Sequence, residues 1–357
     1  MKIAIYSPYL DTLGGGEKYM MTIAETLLRN GFLVDILLDK HLLDFKELKS
    51  NLEKRFNLNL SEGNFTGAPI GKGSDFFSRF IFLKKYDVLL YLTDGSIFYP
   101  TAKKNILHIQ SPLIGQPTKS TLGKIKLKGW DLIIYNSKFT QKYAKDNWPI
   151  KSKVIYPPID IKKIKPLKKE KYILSVGRFF GFLKDKKHSI LIKTFRNLYT
   201  KNKIKDWSFY LVGSASKGDT SYVNELKKLS RGLPIIFYPN LNYDRLIQVY
   251  GKSSIYWHAS GFKENDPTKM EHFGISTVEA MAAGSVPVVI GKGGQVEIVD
   301  DGKNGFLWNT LSELENKSLQ LMVDDKLRIR MSQEAVKKAI DFDKSIFEAK
   351  IKEIVNI

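Results

Sequence analysis

Two carboxylates, Glu271 and Glu279, stand with seven residues between them in Glu271-His-Phe-Gly-Ile-Ser-Thr-Val-Glu279, and Ala280-Met-Ala-Ala-Gly284 and the apolar run Val286-Pro-Val-Val-Ile290 follow at once. Ser276 through Glu279 spells a capping box, in which the Ser hydroxyl accepts from the third amide of a helix and the Glu reaches back to the Ser amide. A helix is therefore expected from near Thr277 through Ala282, with Gly284 suited to the left-handed residue that ends it. Glu271 falls outside that helix, on the loop before its positive end, where unpaired amides and the macrodipole favour an anion. A carboxylate and a bound anion there occupy different corners of one pocket, at the place where an open α/β sheet holds its ligands.

The Glu pair, with its internal Phe273-Gly274 and trailing Glu-Ala-Met-Ala-Ala-Gly, resembles the signature of the retaining glycosyltransferases of family 4, which have the GT-B fold. The resemblance implies an α/β chain of two Rossmann-like domains with parallel sheets facing across a cleft. It implies that Glu271 contacts hydroxyls of the transferred sugar and that Glu279 binds the ribose of the nucleotide, although a capping role alone would also explain Glu279. Phe273, Gly274, Ile275, Ser276 and Thr277, between the two, are then expected to line the donor. Arg178, in Ser175-Val-Gly-Arg178, and Lys186, nine residues before Phe195, match the family's Arg and Lys that bind the donor diphosphate. The chemistry calls for them: cleaving the bond to a nucleoside diphosphate builds negative charge on the leaving oxygen, which fixed cations stabilise. Lys184 and Lys187 flank Lys186, so its register is open by one or two residues.

Leu13-Gly-Gly-Gly-Glu-Lys18 follows a first strand and opens a helix, and glycines with free amides let a backbone approach a ligand closely. Its spacing is not the dinucleotide fingerprint; by resemblance Gly15 and Gly16 lie beside the donor phosphates and acceptor. Gly71-Lys72 does not make a P-loop. His108, ending the strand of Ile106-Leu-His-Ile-Gln-Ser-Pro112, has two readings: a His bonded to backbone, or the family's His that contacts the donor sugar. Asn136-Ser137 is explained by helix capping. Gly213 and Asn240 each follow a second-half strand, where main chain would meet a base. Asp341-Phe-Asp343 is read as a helix cap, and no metal is expected.

Short apolar strands alternate with helices through the whole sequence, the pattern of βαβ units and parallel sheets. Strands are expected at Lys2 to Tyr6, Leu33 to Leu38, Val88 to Leu92, Asn105 to Ile109 and Leu132 to Tyr135, with a helix from Gly14 to Asn30. Residues 57 to 80 read as a long irregular loop, and Val154 to Ile159, with two prolines, as an interdomain linker. Second-half strands are expected at Tyr172 to Val176, Trp207 to Val212, Ile235 to Tyr238, Ile255 to His258 and Val286 to Ile290, with helix from Leu311 onward and a break at Asp341 and Asp343. The domains implied are 1–160, on the acceptor side, and 161–340, holding the nucleotide sugar. Residues 341–357 form a last helix that, by resemblance, crosses back to the first domain.

The chain has 357 residues, a length that suits two cores, and no cysteine, which excludes disulfides and zinc ribbons. No apolar run is long enough for a signal peptide or a membrane span, so a cytoplasmic chain is expected, soluble or peripheral at the inner face of the membrane. The net charge of +20 is spread over both halves and rich in Lys, without a zinc-finger, RNP-like or low-complexity basic motif. Nucleic acid is therefore not an expected partner. Lys119, Lys124, Lys126 and Lys128 alternate with Leu122, Ile125 and Leu127 before Trp130. Either the apolar members pack inward under solvated lysines, or the segment meets an anionic membrane.

Together with these features, the resemblance implies a retaining glycosyltransferase that needs no cofactor or metal. It would move a sugar from a GDP- or UDP-linked donor to a glycan, lipid-linked or small-molecule acceptor. The Glu271 context and the glycine loop look most like mannosyltransferase-type members, a lean toward GDP-mannose. A nucleotide-sugar 2-epimerase of the same fold, or a binding protein with an inactive donor site, are the alternatives.

Overall fold

The computed structural model describes residues 1–42, 44–71, 73–113, 117–201 and 204–355, so Lys72 and the last two residues, within two of the readings above, lie outside it. The chain divides into two compact units, Met1–Pro158 with Ser345–Ile357, and Ile159–Lys344.

In the first unit the elements run β1 (Lys2–Tyr6), α1 (Gly15–Arg29), β2 (Leu33–Leu38), α2 (Phe45–Phe56), β3 (Asn64–Gly67), α3 (Phe76–Leu83), β4 (Val88–Leu92), β5 (Lys104–Ile109), α4 (Thr121–Leu127), β6 (Leu132–Tyr135), α5 (Lys138–Ala144) and β7 (Ser152–Val154). The strands form one parallel sheet in the order β3-β2-β1-β4-β5-β6-β7. Alternate residues of each strand face opposite layers, as the two-residue period requires. Ile3, Ile5, Val88 and Leu90 pack with α1 and α2, while Ala4, Tyr6, Leu89 and Tyr91 pack with Leu83, Leu127 and Trp130 on the other side.

The second unit continues with β8 (Tyr172–Val176), α6 (His188–Lys201), β9 (Ser208–Gly213), α7 (Thr220–Leu229), β10 (Ile235–Pro239), α8 (Tyr243–Lys252), β11 (Ile255–His258), α9 (Ile275–Ala282), β12 (Val286–Ile290), α10 (Gln295–Ile298), β13 (Phe306–Trp308), α11 (Leu311–Val323) and α12 (Asp325–Ala339). Its parallel sheet has the order β10-β9-β8-β11-β12-β13. Near-continuous apolar runs such as Val286–Ile290 suit strands covered on both faces. The final helix, α13 (Lys344–Val355), belongs to the first unit: Phe347, Ile351, Ile354 and Val355 enter its core, and Lys153 pairs with Glu353 at 2.6 Å.

Three expectations are corrected. Residues 57 to 80 are not one irregular loop, because Asn64–Gly67 adds an edge strand and Asp75 caps a helix by accepting from the Ser78 amide at 2.7 Å. Two short elements of the second unit, α10 and β13, were not anticipated. The capping box at Ser276 does not form: Gly274, at φ 121°, is the N-cap, and the helix begins at Ile275. A positive φ is open to glycine, so the chain turns into the helix two residues earlier than a Ser cap would allow.

Candidate functional site

Each sheet changes winding direction once, between β1 and β4 and between β8 and β11. Ligands of open α/β sheets bind beyond the carboxyl ends of strands at such a point. In the second unit Arg178 follows β8 and His258 ends β11 there, and the long connection from β11 to α9 carries Glu271.

Glu271 is the centre of a three-residue cluster. Its Oε2 accepts from Lys186 Nζ at 2.7 Å and lies 2.9 Å from His258 Nε2. Burial alone would push the carboxyl up, but the Lys186 ammonium and the His258 hydrogen bond hold it well below its ordinary value. Burial favours neutral Lys186, and the facing carboxylates of Glu271 and Asp185 reverse this, so it stays charged. Burial lowers His258 more than Glu271 raises it, which leaves a neutral imidazole. Its Nε2 must then carry the proton that the Glu271 carboxylate accepts, and its Nδ1 is buried without a hydrogen-bond partner among the described residues. Both contacts engage Oε2, so Oε1 makes neither of these two bonds and is the oxygen that can turn to a ligand.

The backbone beneath Glu271 is fixed by a close glycine packing. Gly294 N–H donates to Glu271 O at 2.8 Å, and a Cβ on Gly293, itself at φ 67°, would sit 2.2 Å from that oxygen. Neither Gly293, Gly294 nor His258 was singled out by sequence. His258 looked like the last residue of an apolar strand, and its partner lies 13 residues on.

The lysines before α6 are sorted by partner: Lys184 pairs with Glu225, Lys186 with Glu271 and Lys187 with Glu264. Gly177 gives Lys186 its path, since a Cβ there would lie 2.8 Å from Lys186 Cγ. Arg178 is exposed, its guanidinium 5.6 Å from the Phe180 ring centroid and close enough to Lys186 to oppose its charge. Two like charges side by side favour a bound anion.

Glu279 sits on the second turn of α9, where its Oε2 accepts from Tyr250 OH at 3.0 Å. Ser276 Oγ accepts from Tyr256 OH at 2.7 Å, and Phe273 packs edge-on against Phe342. Thr277 is buried in the first turn. At the ends of β8, β9 and β10 main chain is stitched to main chain: Gly177 N–H donates to Val212 O and Asn240 N–H to Gly213 O, each at 2.9 Å. A Cβ on Gly213 would lie 1.9 Å from Gly177 O. The Asn240 amide holds both the N–H and the C=O of Ala215, so its side chain supports this ledge.

In the first unit α1 opens at Gly14, whose N–H donates to Glu17 Oε2 at 2.8 Å. Gly16 approaches Gln110 so closely that a Cβ would lie 2.1 Å from its Nε2. Gln110, which sequence did not select, therefore shares this loop. His108 makes the backbone contact that one of its two readings expects. Its side chain is 0% exposed, stacked on Tyr19 at 4.0 Å, with Nδ1 3.1 Å from Ile134 O. The odd position of a strand buried on both faces puts it inside the layer. Asp341 pairs with Lys338 at 3.2 Å, and the Asp343 amide closes a turn on Ile340 O.

Two Rossmann-like units of parallel sheet, covering the whole chain, define the class as GT-B. A glycosyltransferase from Rickettsia africae superposes with a TM-score of 0.73 at 19% identity over 99% of this chain and 97% of that one. Anabaena HepE, in complex with UDP-glucose, gives 0.69 at 20% identity over 100% and 99%. Residues 158–338, about half of the sequence, match the family described as Glycosyl transferases group 1, and the chain belongs to that family. Among curated relatives, the GDP-Man:Man(3)GlcNAc(2)-PP-Dol alpha-1,2-mannosyltransferase of Dictyostelium discoideum is 27% identical over 60% of this chain. The human protein of that name is 28% identical over 57%. The chain spans 45% and 44% of their lengths.

Proposed function

We propose that the chain is a retaining, metal-independent glycosyltransferase that uses a nucleoside-diphosphate sugar, with GDP-mannose as the preferred donor. The observation that carries the reading is the Glu271 carboxylate, kept ionised by Lys186 and His258 on the loop before α9. As the glycosidic bond lengthens, positive charge grows on the sugar and negative charge on the leaving phosphate. Glu271 Oε1 accepts from a sugar hydroxyl and stabilises the first; Arg178 and Lys186 stabilise the second. Glu279 takes the ribose hydroxyls, and the ledge at Gly213 and Asn240 meets the base. The leaving phosphate oxygen takes the acceptor's proton, so donor departure and attack share one face and configuration is retained. The mannose preference rests on the relatives named for GDP-Man, and their names also make a lipid-linked glycan the acceptor class to try first.

The experiment is a panel of GDP- and UDP-sugars, assayed for binding and slow hydrolysis with excess chelator present. GDP-mannose should bind and hydrolyse first, with α-mannose as the initial product by NMR. Failure of every nucleotide sugar to bind would overturn the reading. Loss of activity in chelator with rescue by manganese would overturn metal independence, and release of an epimerised nucleotide sugar would assign the epimerase.

A further inference from the structure

Helix α3 presents large apolar side chains to solvent: Phe77 is 71% exposed and Ile81 72%, with Phe76 and Phe80 beside them at 48% and 38%. The aromatic members cluster, with ring centroids of Phe76 and Phe77 5.6 Å apart and those of Phe76 and Phe80 6.0 Å apart. Helix α4 adds Leu122 and Ile125, 61% and 50% exposed. The two helices cover the same face of the first sheet, because Leu83 of α3 and Leu127 of α4 enter one apolar cluster. They also share one support, residues 98–101. Thr101 Oγ1 donates to Phe80 O at 2.7 Å, and Trp130 Nε1, just beyond α4, donates to Phe98 O at 3.1 Å. Exposed apolar side chains grouped in this way mark an interaction surface.

The charge around them selects the partner. No acidic residue occurs from Phe76 to Tyr86 or from Gly95 to Trp130. Lys84, Lys85, Lys119, Lys124 and Lys128 are exposed, and none forms an ion pair among the described residues. A second copy docked through this face would bring like charges together across a two-fold axis. Among the described residues no helix is long and apolar enough to cross a membrane. We infer that α3 and α4 dock the first unit on an anionic lipid bilayer, with Phe77 and Ile81 entering the interfacial region and the lysines meeting headgroup phosphates. Aromatic and aliphatic tips ringed by cations fit that surface, where apolar burial and attraction to anionic lipid add. The inference does not rest on the donor chemistry proposed above.

The full chain should float with phosphatidylcholine vesicles that contain phosphatidylglycerol at low salt, be released as salt rises, and ignore pure phosphatidylcholine. Phe77→Ser with Ile81→Ser should weaken this binding about tenfold or more, since each removes buried apolar area. Both positions are exposed, so the thermal melt should be unchanged, as should slow donor hydrolysis. Lys124→Gln with Lys128→Gln should lower the salt at which the chain releases. Absence of parent binding to the anionic vesicles, or equal binding by the Phe77/Ile81 variant, would overturn the proposal. A concentration-dependent dimer in sedimentation velocity that the same variant abolishes would overturn it in favour of a second copy. Loss of hydrolysis with any nucleotide sugar bears on the donor site alone.

Discussion

Glu271 takes the hydrogen bonds of both Lys186 and His258 on one carboxylate oxygen, and the function proposed for it differs from that proposed for Arg178. A group that meets charge developing on the sugar matters more in the transition state than in the ground state, whereas a cation on the diphosphate is needed in both. Glu271→Ala is therefore expected to lower turnover by about 10² to 10³, or roughly 3 to 4 kcal/mol, while calorimetric affinity for the nucleoside diphosphate stays within a few-fold. Arg178→Ala should weaken that affinity itself, because a charge-assisted phosphate contact is lost with or without sugar. Turnover of Glu271→Ala within twofold of the parent, or unchanged diphosphate affinity in Arg178→Ala, would remove the residue from its assigned place. The two acidic positions and Lys186 were singled out in the sequence by their resemblance to the family's signature. The meeting at Glu271 was not legible there, since Lys186 and His258 lie 85 and 13 residues from Glu271.

At the scale of elements, α13 shows how a terminal segment can be read as a helix without its docking being read. Its buried residues, Phe347, Ile351, Ile354 and Val355, recur at helical spacing, and the surface they cover is formed by α1 and strands more than 180 residues earlier. Ile351 is fully buried, so Ile351→Ala should cost about 3 kcal/mol of stability, counting both the lost transfer energy and the cavity left behind. A urea titration reads this directly, and a change below half a kilocalorie would mean that α13 is not part of the cooperative unit. Other elements were lost to local signals that pointed the wrong way. Gly, Asn and Ser around residues 57 to 74 hid β3, and the aromatic run of α3 carries only Ser78 and Arg79 as polar residues, a weak signal for a helix. At α9 a plausible Ser cap was displaced by Gly274, whose left-handed backbone starts the helix earlier.

For the whole molecule, buried histidines make stability depend on pH. Burial lowers His108 to about 4 from 6.5, and burial with the nearby Lys186 charge lowers His188 to about 3. As pH falls through 6.5 the unfolded chain gains a proton that the folded chain refuses until its own lower pKa. The stabilising contribution is thus complete above pH 6.5 and is lost on the way down to pH 4 for His108 and to pH 3 for His188. His108 alone should remove about 2 kcal/mol between pH 7.5 and pH 5. Urea unfolding at these two values, repeated with His108→Asn, checks this: the variant should show the smaller difference. An equal difference in the two proteins would mean that His108 does not titrate in this window.

Sequence by itself determined the class of fold and the chemistry available to it. Alternating strand and helix patterns admit parallel sheets and little else, and the Glu271 to Gly284 stretch carries its own turn, helix and carboxylates in one contiguous segment. Local propensity and periodicity act over a few residues, so what they specify can be read locally. Tertiary structure alone decided the rest. It determined that Lys186 and His258 converge on Glu271 Oε2, and that Gly293 and Gly294 lie under the Glu271 backbone. It also buried His108 within its layer and left α3 with apolar side chains in water. Each of these depends on which strand ends lie side by side and which helix face finds a partner, and packing between distant segments sets both.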